Sequence, residues 1–450
     1  MAGFRGVIMS KFDTKLIEVI KNENLYSYLI NCNFGLEREN ARVDSCGTLA
    51  FTKHPAAFGD RLKNYNIKTD FSESQIELAT DVCGTLEETY DFLRKLHERV
   101  YNIIEKNDEY LWMESMPPRL PEGKEIPIAN MGNLEEEKFR KVLAEKYGRK
   151  KQLISGIHYN FSFKEELIKK LYNILSEGEE FKSFKNSIYL RICRNFIKYR
   201  WLLIYFTGAS PIFHNSFVQE YVKIAKCLDD ESFYFPNMIS LRNSEYGYKN
   251  REDFYVSYDS VEQYLADIES LVKKGELQDI CEFYSPVRIK TGNNDALVNE
   301  LLEDGIRYIE IRILDINPLE KLGISKDVLR LVHLFILYML FLEDSNLDEK
   351  DNEASNINAN LVALRGREEG LRLIDKTGVE IDFKKTASKV IRDLQKLIEL
   401  LSLDSFKGIL DNAEDMINDS KIIPSSEIFE GIKEKSFINF NLEKAKKYSK

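Results

Sequence analysis

The chain has 450 residues, of which 43% are hydrophobic and 31% charged, and its formal net charge is −10. That length can bury at least one large core and allows two or three domains. The acidic balance disfavours phosphate-rich partners such as duplex nucleic acid or an anionic membrane, and no basic stripe interleaved with aromatics offsets it. The six cysteines (Cys32, Cys46, Cys83, Cys193, Cys227, Cys281) are scattered and form no C-x-x-C pair. This argues against a zinc knuckle, a thioredoxin-like motif or a disulfide framework, and suits a reducing cytoplasm.

In chain order, residues 10–30 read as one amphipathic helix ending near Asn31–Asn33, and no signal-peptide pattern precedes it. Short strand-like and turn-like segments follow over residues 34–82. Helical spacing returns at Leu86–Asn107, where Leu86, Tyr90, Leu93, Leu96 and Val100 recur at three- and four-residue intervals. Pro117, Pro118, Pro121 and Pro127 force an irregular stretch, because each removes a backbone donor. A helix over Glu135–Tyr147 and a strand-like Gln152–Phe163 come next, then a long helix over 183–207 that stops at Gly208-Ala209-Ser210-Pro211.

A strand is expected near 305–316 and an apolar helix near 325–342. The most apolar run, Leu331–Leu342, is too short to span a bilayer and contains His333, so it reads as a buried core helix. A cytoplasmic protein is therefore expected. The Asp- and Asn-rich stretch Asp344–Asn360 reads as an exposed loop, and the C-terminal 90 residues as mostly helical. Strands mixed with long helices, without regular alternation, predict an α+β fold.

Three segments alternate with period two and put acids, His or Arg on one face. They are Glu37 and Glu39 in residues 35–39, His158 with Asn160 and Ser162 in residues 157–163, and Glu310 with Arg312 in residues 308–313. Each alone is equally consistent with a solvated strand face. Together they suit a cleft in which clustered carboxylates require a cation, and hard oxygen ligands suit magnesium or manganese. Arg312 beside a metal-bound carboxylate could hold a phosphate oxygen bidentately. Residues 69–77 add Asp70, Glu73 and Glu77, with Glu73 and Glu77 on a shared face, although a solvated charged segment is the plainer alternative. No phosphate loop, G-x-G-x-x-G fingerprint or H-E-x-x-H is present.

At these segments the chain resembles bacterial glutamate–cysteine ligases. The matching stretches are GLERENARV (35–43), GTLAFTKHPAAFG (47–59), KTDFSESQIELAT (68–80), LWMESMPPRLPEG (111–123), ISGIHYNFSF (154–163), GASP (208–211), SLRNSEYGY (240–248), FYSPVR (283–288) and GIRYIEIRILDINP (305–318). They stand in family order.

The resemblance implies a glutamine synthetase-like fold, a curved antiparallel sheet flanked by helices whose concave face takes ATP and divalent metal. It covers roughly residues 30–375 and implies a catalytic domain over 31–375; an N-terminal helical segment over 1–30 and a helical region over 376–450 packed on that domain are expected beside it. The resemblance places metal-site residues at Glu37, Glu39, Asp70, Glu77, His158 and Glu310, with Glu310 and Arg312 catalytic. Asn160 and Arg312 fall on the nucleotide side, and Phe71, Arg242, Tyr248 and Tyr284 in the acceptor pocket.

The implied reaction is ATP-dependent joining of glutamate to cysteine with Mg2+ (or Mn2+), the first step of glutathione synthesis. The alternatives are a γ-glutamyl ligase for another small amine, a metal-dependent hydrolase, or a silent partner subunit. Three departures from the family are visible, the first being that the sequence before about residue 30 matches little of it. Residues 130–137 are short, with Met131 where some members carry an acceptor-pocket aromatic. No ATP-grasp module follows, so glycine addition is expected from a separate protein.

Overall fold

A computed structural model of the chain describes residues 11–130, 132–292 and 297–450. Its centre is one antiparallel sheet built from β1 (Asn33–Val43), β2 (Ile67–Lys68), β3 (Gln75–Ala79), β4 (Tyr110–Leu111), β5 (Ile157–Ser162), β6 (Val287–Lys290) and β7 (Tyr308–Leu314). The strands lie in the order β2-β3-β1-β5-β7-β6, and β4 pairs with the end of β1. With flanking helices this is the expected α+β architecture.

Alternation along the strands decides what each face meets. On β5 and β7, Tyr159, Phe161, Ile309 and Ile311 are 0% exposed and point into the core beneath the sheet. Burying side chains of this size contributes ~1.5–3 kcal/mol each, so a one-residue slip in register would be costly. The core is closed by α3 (Leu86–Ile104), following α1 (Thr14–Asn22) and α2 (Tyr26–Ile30), and by helices later in the chain. The Thr85 side chain caps α3 by accepting from Glu88 N, and Leu93, Val100 and Ile104 recur on its buried stripe.

Next come α4 (Leu134–Tyr147), α5 (Glu165–Leu175), α6 (Phe181–Thr207), α7 (Lys326–Phe341), α8 (Glu349–Arg365) and α9 (Phe383–Leu400). Helix α7 touches α3, α6 and α9, which is why it is apolar all round. His333 within it is 1% exposed and packs edge-on against Phe34, as a core residue. Among the described residues no helix is long and apolar enough to cross a membrane.

Three expectations are corrected. Residues 14–30 form two helices, because the chain turns at Asn24 in the left-handed region (φ 53°). Most of Asp344–Asn360 belongs to α8, capped by the Asp348 side chain accepting from Asp351 N. Within residues 349–360 its buried side chains are Ala354, Ser355, Asn358 and Ala359, small or polar residues that give no apolar periodicity to read; the apolar Val362 comes only after this stretch. Finally, Glu73 and Glu77 do not share a face. A turn in which Gln75 N donates to Ser72 O (2.9 Å) precedes β3 and directs Glu73 away, where it accepts from Arg61 Nη1 at 2.7 Å.

Candidate active site

The sheet's second face carries the polar side chains, and strand register brings them together. Glu37 on β1 is directly opposite His158 on β5, Glu39 is opposite Glu77 on β3, and Glu310 on β7 is opposite Asn160 on one side and Arg288 on the other. Cross-strand partners project to the same side, so these residues form one polar surface. Between Ile311 and Leu314, β7 spends three residues where β5 spends two from Tyr159 to Ile157. Arg312 lies within this bulge, where pairing with β5 is interrupted, and its backbone N extends the pairing with β6 by one residue by donating to Pro286 O (3.0 Å).

A cleft of about 550 Å³ opens over this surface, lined by Glu37, Glu39, Asp70, Phe71, Glu77, His158, Arg242, Tyr248, Tyr284, Glu310 and Arg312. Eleven of the twelve predicted site residues thus meet in one place. Asn160 is outside the lining, and its Nδ2 donates to Glu37 Oε1 at 2.9 Å. Met131 lies outside the described residues. The spacing rules did not single out Arg288 and Lys290, whose strand Val287-Arg288-Ile289-Lys290 alternates on the same face, nor Lys68 and Arg140. Arg288 closes the FYSPVR stretch, so its signal was available in the sequence.

His158 is at the centre. Its Nδ1 lies 3.1 Å from Glu37 Oε2 and 3.7 Å from Glu310 Oε1, and its Nε2 lies 3.8 Å from Glu39 Oε1. Arg312 Nη1 donates to Glu310 Oε2 at 2.9 Å. Burial, and then the Arg312 charge, lowers the His158 pKa to about 4, so the imidazole is neutral at pH 7. Its contact with Glu37 is therefore a hydrogen bond from a neutral ring rather than an ion pair.

The acids divide into two groups. Burial would raise Glu37 and Glu310, but the His158 hydrogen bond holds Glu37 below the ordinary glutamate value, and Arg312 and Lys290 do the same for Glu310. Burial also raises Glu39, Asp70 and Glu77, Glu77 to about 7, and their mutual repulsion adds to the effect on Glu39 and Glu77.

Two ionised carboxylates and a neutral imidazole make a ready donor set for a divalent cation. Ligand atoms of Glu37, His158 and Glu310 all lie within 4.8 Å of one another. A cation there would also offset the charge gathered by the neighbouring acids, so the residues fit a hard divalent metal.

The far wall is aromatic and cationic. Tyr248 Oη lies 2.5 Å from Tyr284 Oη and 3.0 Å from Gln152 Oε1, and Arg242 Nη2 donates to the Arg312 carbonyl at 2.6 Å.

Comparison with known proteins gives a consistent result. The family model described as glutamate-cysteine ligase matches residues 17–362. A glutathione biosynthesis bifunctional protein of Clostridium perfringens is 48% identical over 442 residues, covering 98% of this chain and 57% of that protein. A glutamate–cysteine ligase of Clostridium acetobutylicum is 33% identical over 475 residues, covering 96% of this chain and 98% of that protein. Among solved structures, a glutamate–cysteine ligase of Francisella tularensis in complex with AMP superposes with a TM-score of 0.84 at 28% identity, covering 93% of this chain and 88% of that one. A bifunctional glutathione synthetase of Pasteurella multocida gives 0.85 at 30% identity, covering 98% of this chain and 54% of that one. The chain thus spans 57% of the length of its Clostridium perfringens relative. Because such relatives are single bifunctional chains, the expected separate glycine-adding protein finds no support.

Proposed function

The chain belongs to the glutamate-cysteine ligase family, and from that membership we propose that it joins the γ-carboxylate of L-glutamate to the amino group of L-cysteine in a reducing cytoplasm. ATP first phosphorylates the γ-carboxylate, and the cysteine amine then displaces phosphate, leaving γ-glutamylcysteine, ADP and phosphate. The observation that carries this reading is the Glu37–His158–Glu310 set lying beside Arg312 in one cleft. An arginine next to a cation-binding carboxylate is what stabilising a transferring phosphoryl group requires. The relative from Francisella tularensis, solved with AMP, supports a nucleotide in the same fold.

Each residue has a definite task. Glu37, His158 and Glu310 would hold Mg2+ or Mn2+, with Glu39, Asp70 and Glu77 completing the acidic surface. That cation, when bound, offsets the charge of the nucleotide's phosphates. Glu310 orients Arg312 through their 2.9 Å hydrogen bond, so the guanidinium meets the developing charge without reorganising. Asn160 keeps the Glu37 carboxylate in place. Arg242 takes the acceptor's carboxylate, while Phe71, Tyr248 and Tyr284 pack around its side chain and exclude water.

Measuring ADP release with glutamate, ATP, Mg2+ and a panel of amino acids tests this. Release that needs glutamate and is fastest with cysteine supports the reading. A faster rate with another small amine would reassign the acceptor, and amide hydrolysis without ATP would replace the ligase with a hydrolase.

A further inference from the structure

We infer that Asp315 and Gly156 are positioning residues that hold Arg242 at a fixed distance from the acidic face, and so set the enzyme's grip on its acceptor. The inference rests on the proposed role of Arg242.

Asp315 lies just beyond the β7 bulge and is 3% exposed. A carboxylate that deep persists only when its oxygens are satisfied. Its Oδ2 accepts from Ala209 N and Ser210 Oγ, both at 2.8 Å, and its Oδ1 accepts from Asn243 Nδ2 at 3.1 Å, with Arg242 Nη1 4.0 Å away. Leu241 N donates to Ser210 O (2.9 Å), and Asn243 Nδ2 also reaches Ile313 O (2.9 Å). One buried side chain therefore fastens the loop that carries Arg242 to the segment at 209–210 and to the strand that carries Arg312.

From the other side, Arg242 lies against Gly156. A Cβ at Gly156 would stand 2.1 Å from Arg242 Nη2 and 2.3 Å from Cζ, so any larger residue displaces the guanidinium. The same glycine's N donates to Glu39 Oε2 (2.9 Å), and its O accepts from Glu39 N (3.1 Å). One peptide thus has a metal-face carboxylate bonded to it and the acceptor's arginine resting on it. With Asp315 behind the loop and Gly156 beneath the guanidinium, the spacing between acceptor and acidic face is fixed by a fully hydrogen-bonded buried carboxylate on one side and by backbone on the other.

Steady-state kinetics of Asp315→Asn and Gly156→Ala provide the test, alone and in an Arg242→Ala background. Each single change should raise the acceptor KM on the order of 10–100-fold, as expected for misplacing a substrate-binding group by about 1 Å. The ATP KM should stay within about twofold, and neither change should add to the effect of Arg242→Ala. Equal rises in both KM values, or full additivity, would overturn the inference. If Asp315→Asn fails to fold, Gly156→Ala carries the same expectation, because it leaves every Asp315 hydrogen bond intact. Crystal structures keep this distinct from failure of the ligase reading. Even with no amino-acid-dependent ADP release from the wild type, Arg242 should lie on Gly156 in the wild type and leave it in the folded variant; an unmoved guanidinium would refute the inference.

Discussion

Glu37 and His158 are 121 positions apart in the sequence, yet they face each other across one rung of antiparallel sheet with Oε2 and Nδ1 3.1 Å apart. Neither residue could be read alone, since a strand glutamate and a strand histidine are each ordinary on a solvated face. The register that pairs them, and that puts Glu310 on the neighbouring strand, makes them a candidate cation site. Glu37→Gln should therefore weaken Mn2+ binding, followed by electron paramagnetic resonance, by on the order of 10–100-fold or more, since even outer partners of metal ligands cost that much. Unchanged Mn2+ affinity would place the cation elsewhere.

Arg312 and Glu310 are joined by a 2.9 Å hydrogen bond in the cleft. Replacing Arg312 by Ala, or Glu310 by Gln, should lower kcat on the order of 100–1000-fold, the usual effect of removing one preorganised electrostatic group. The circular dichroism spectrum and Tm should stay near wild type, because both side chains line the cleft rather than fill the core. Near-normal turnover in either variant would remove that residue from phosphoryl transfer.

Much of this was legible in the sequence because period-two alternation survives in β5 and β7, whose apolar halves are core and whose polar halves line the cleft; in β1 the half opposite Glu37 and Glu39 carries Phe34 and Leu36 and then the buried Arg38, Asn40 and Arg42. Less local features were not. The α8 helix was hidden by a packing face of Ala, Ser and Asn. The turn separating Glu73 from Glu77 depends on a local Ser72–Gln75 hydrogen bond that competes with regular structure, and charge spacing does not reveal it. Arg288 stood in plain view at the end of the FYSPVR stretch, but its position beside Glu310 follows from pairing between distant strands, which cannot be counted off along one segment.

Tyr284 and Tyr248 share a short hydroxyl contact in the cleft, where we propose that the acceptor binds. Tyr284→Phe removes one partner while keeping the ring. The acceptor KM should rise about fivefold, the value of a neutral hydrogen bond near 1 kcal/mol, and the ATP KM should not follow. Parallel changes in both constants would take Tyr284 out of the acceptor pocket.

Glu73 offers a stability test away from the cleft's acids. Burial would raise its pKa, but hydrogen bonds from Arg61, His54 N and Asn130 N hold it below the ordinary value of 4.5. A depressed folded-state pKa contributes stability above pH ~4.5 that is lost as pH falls through the folded value. Glu73→Gln should thus destabilise the protein by about 1 kcal/mol near neutrality, the discounted worth of a partly solvated ion pair, and the difference should vanish in acid. A difference between the two proteins that persists at low pH would contradict this assignment.

Under the proposed reaction, phosphate passes from ATP to the glutamate γ-carboxylate before the amide forms, and isotope transfer reads out that step. Glutamate labelled with 18O in its γ-carboxylate should give phosphate carrying one labelled oxygen for each γ-glutamylcysteine made, alongside ADP. Unlabelled phosphate, or labelled AMP and pyrophosphate in place of ADP and phosphate, would rule out a γ-glutamyl phosphate.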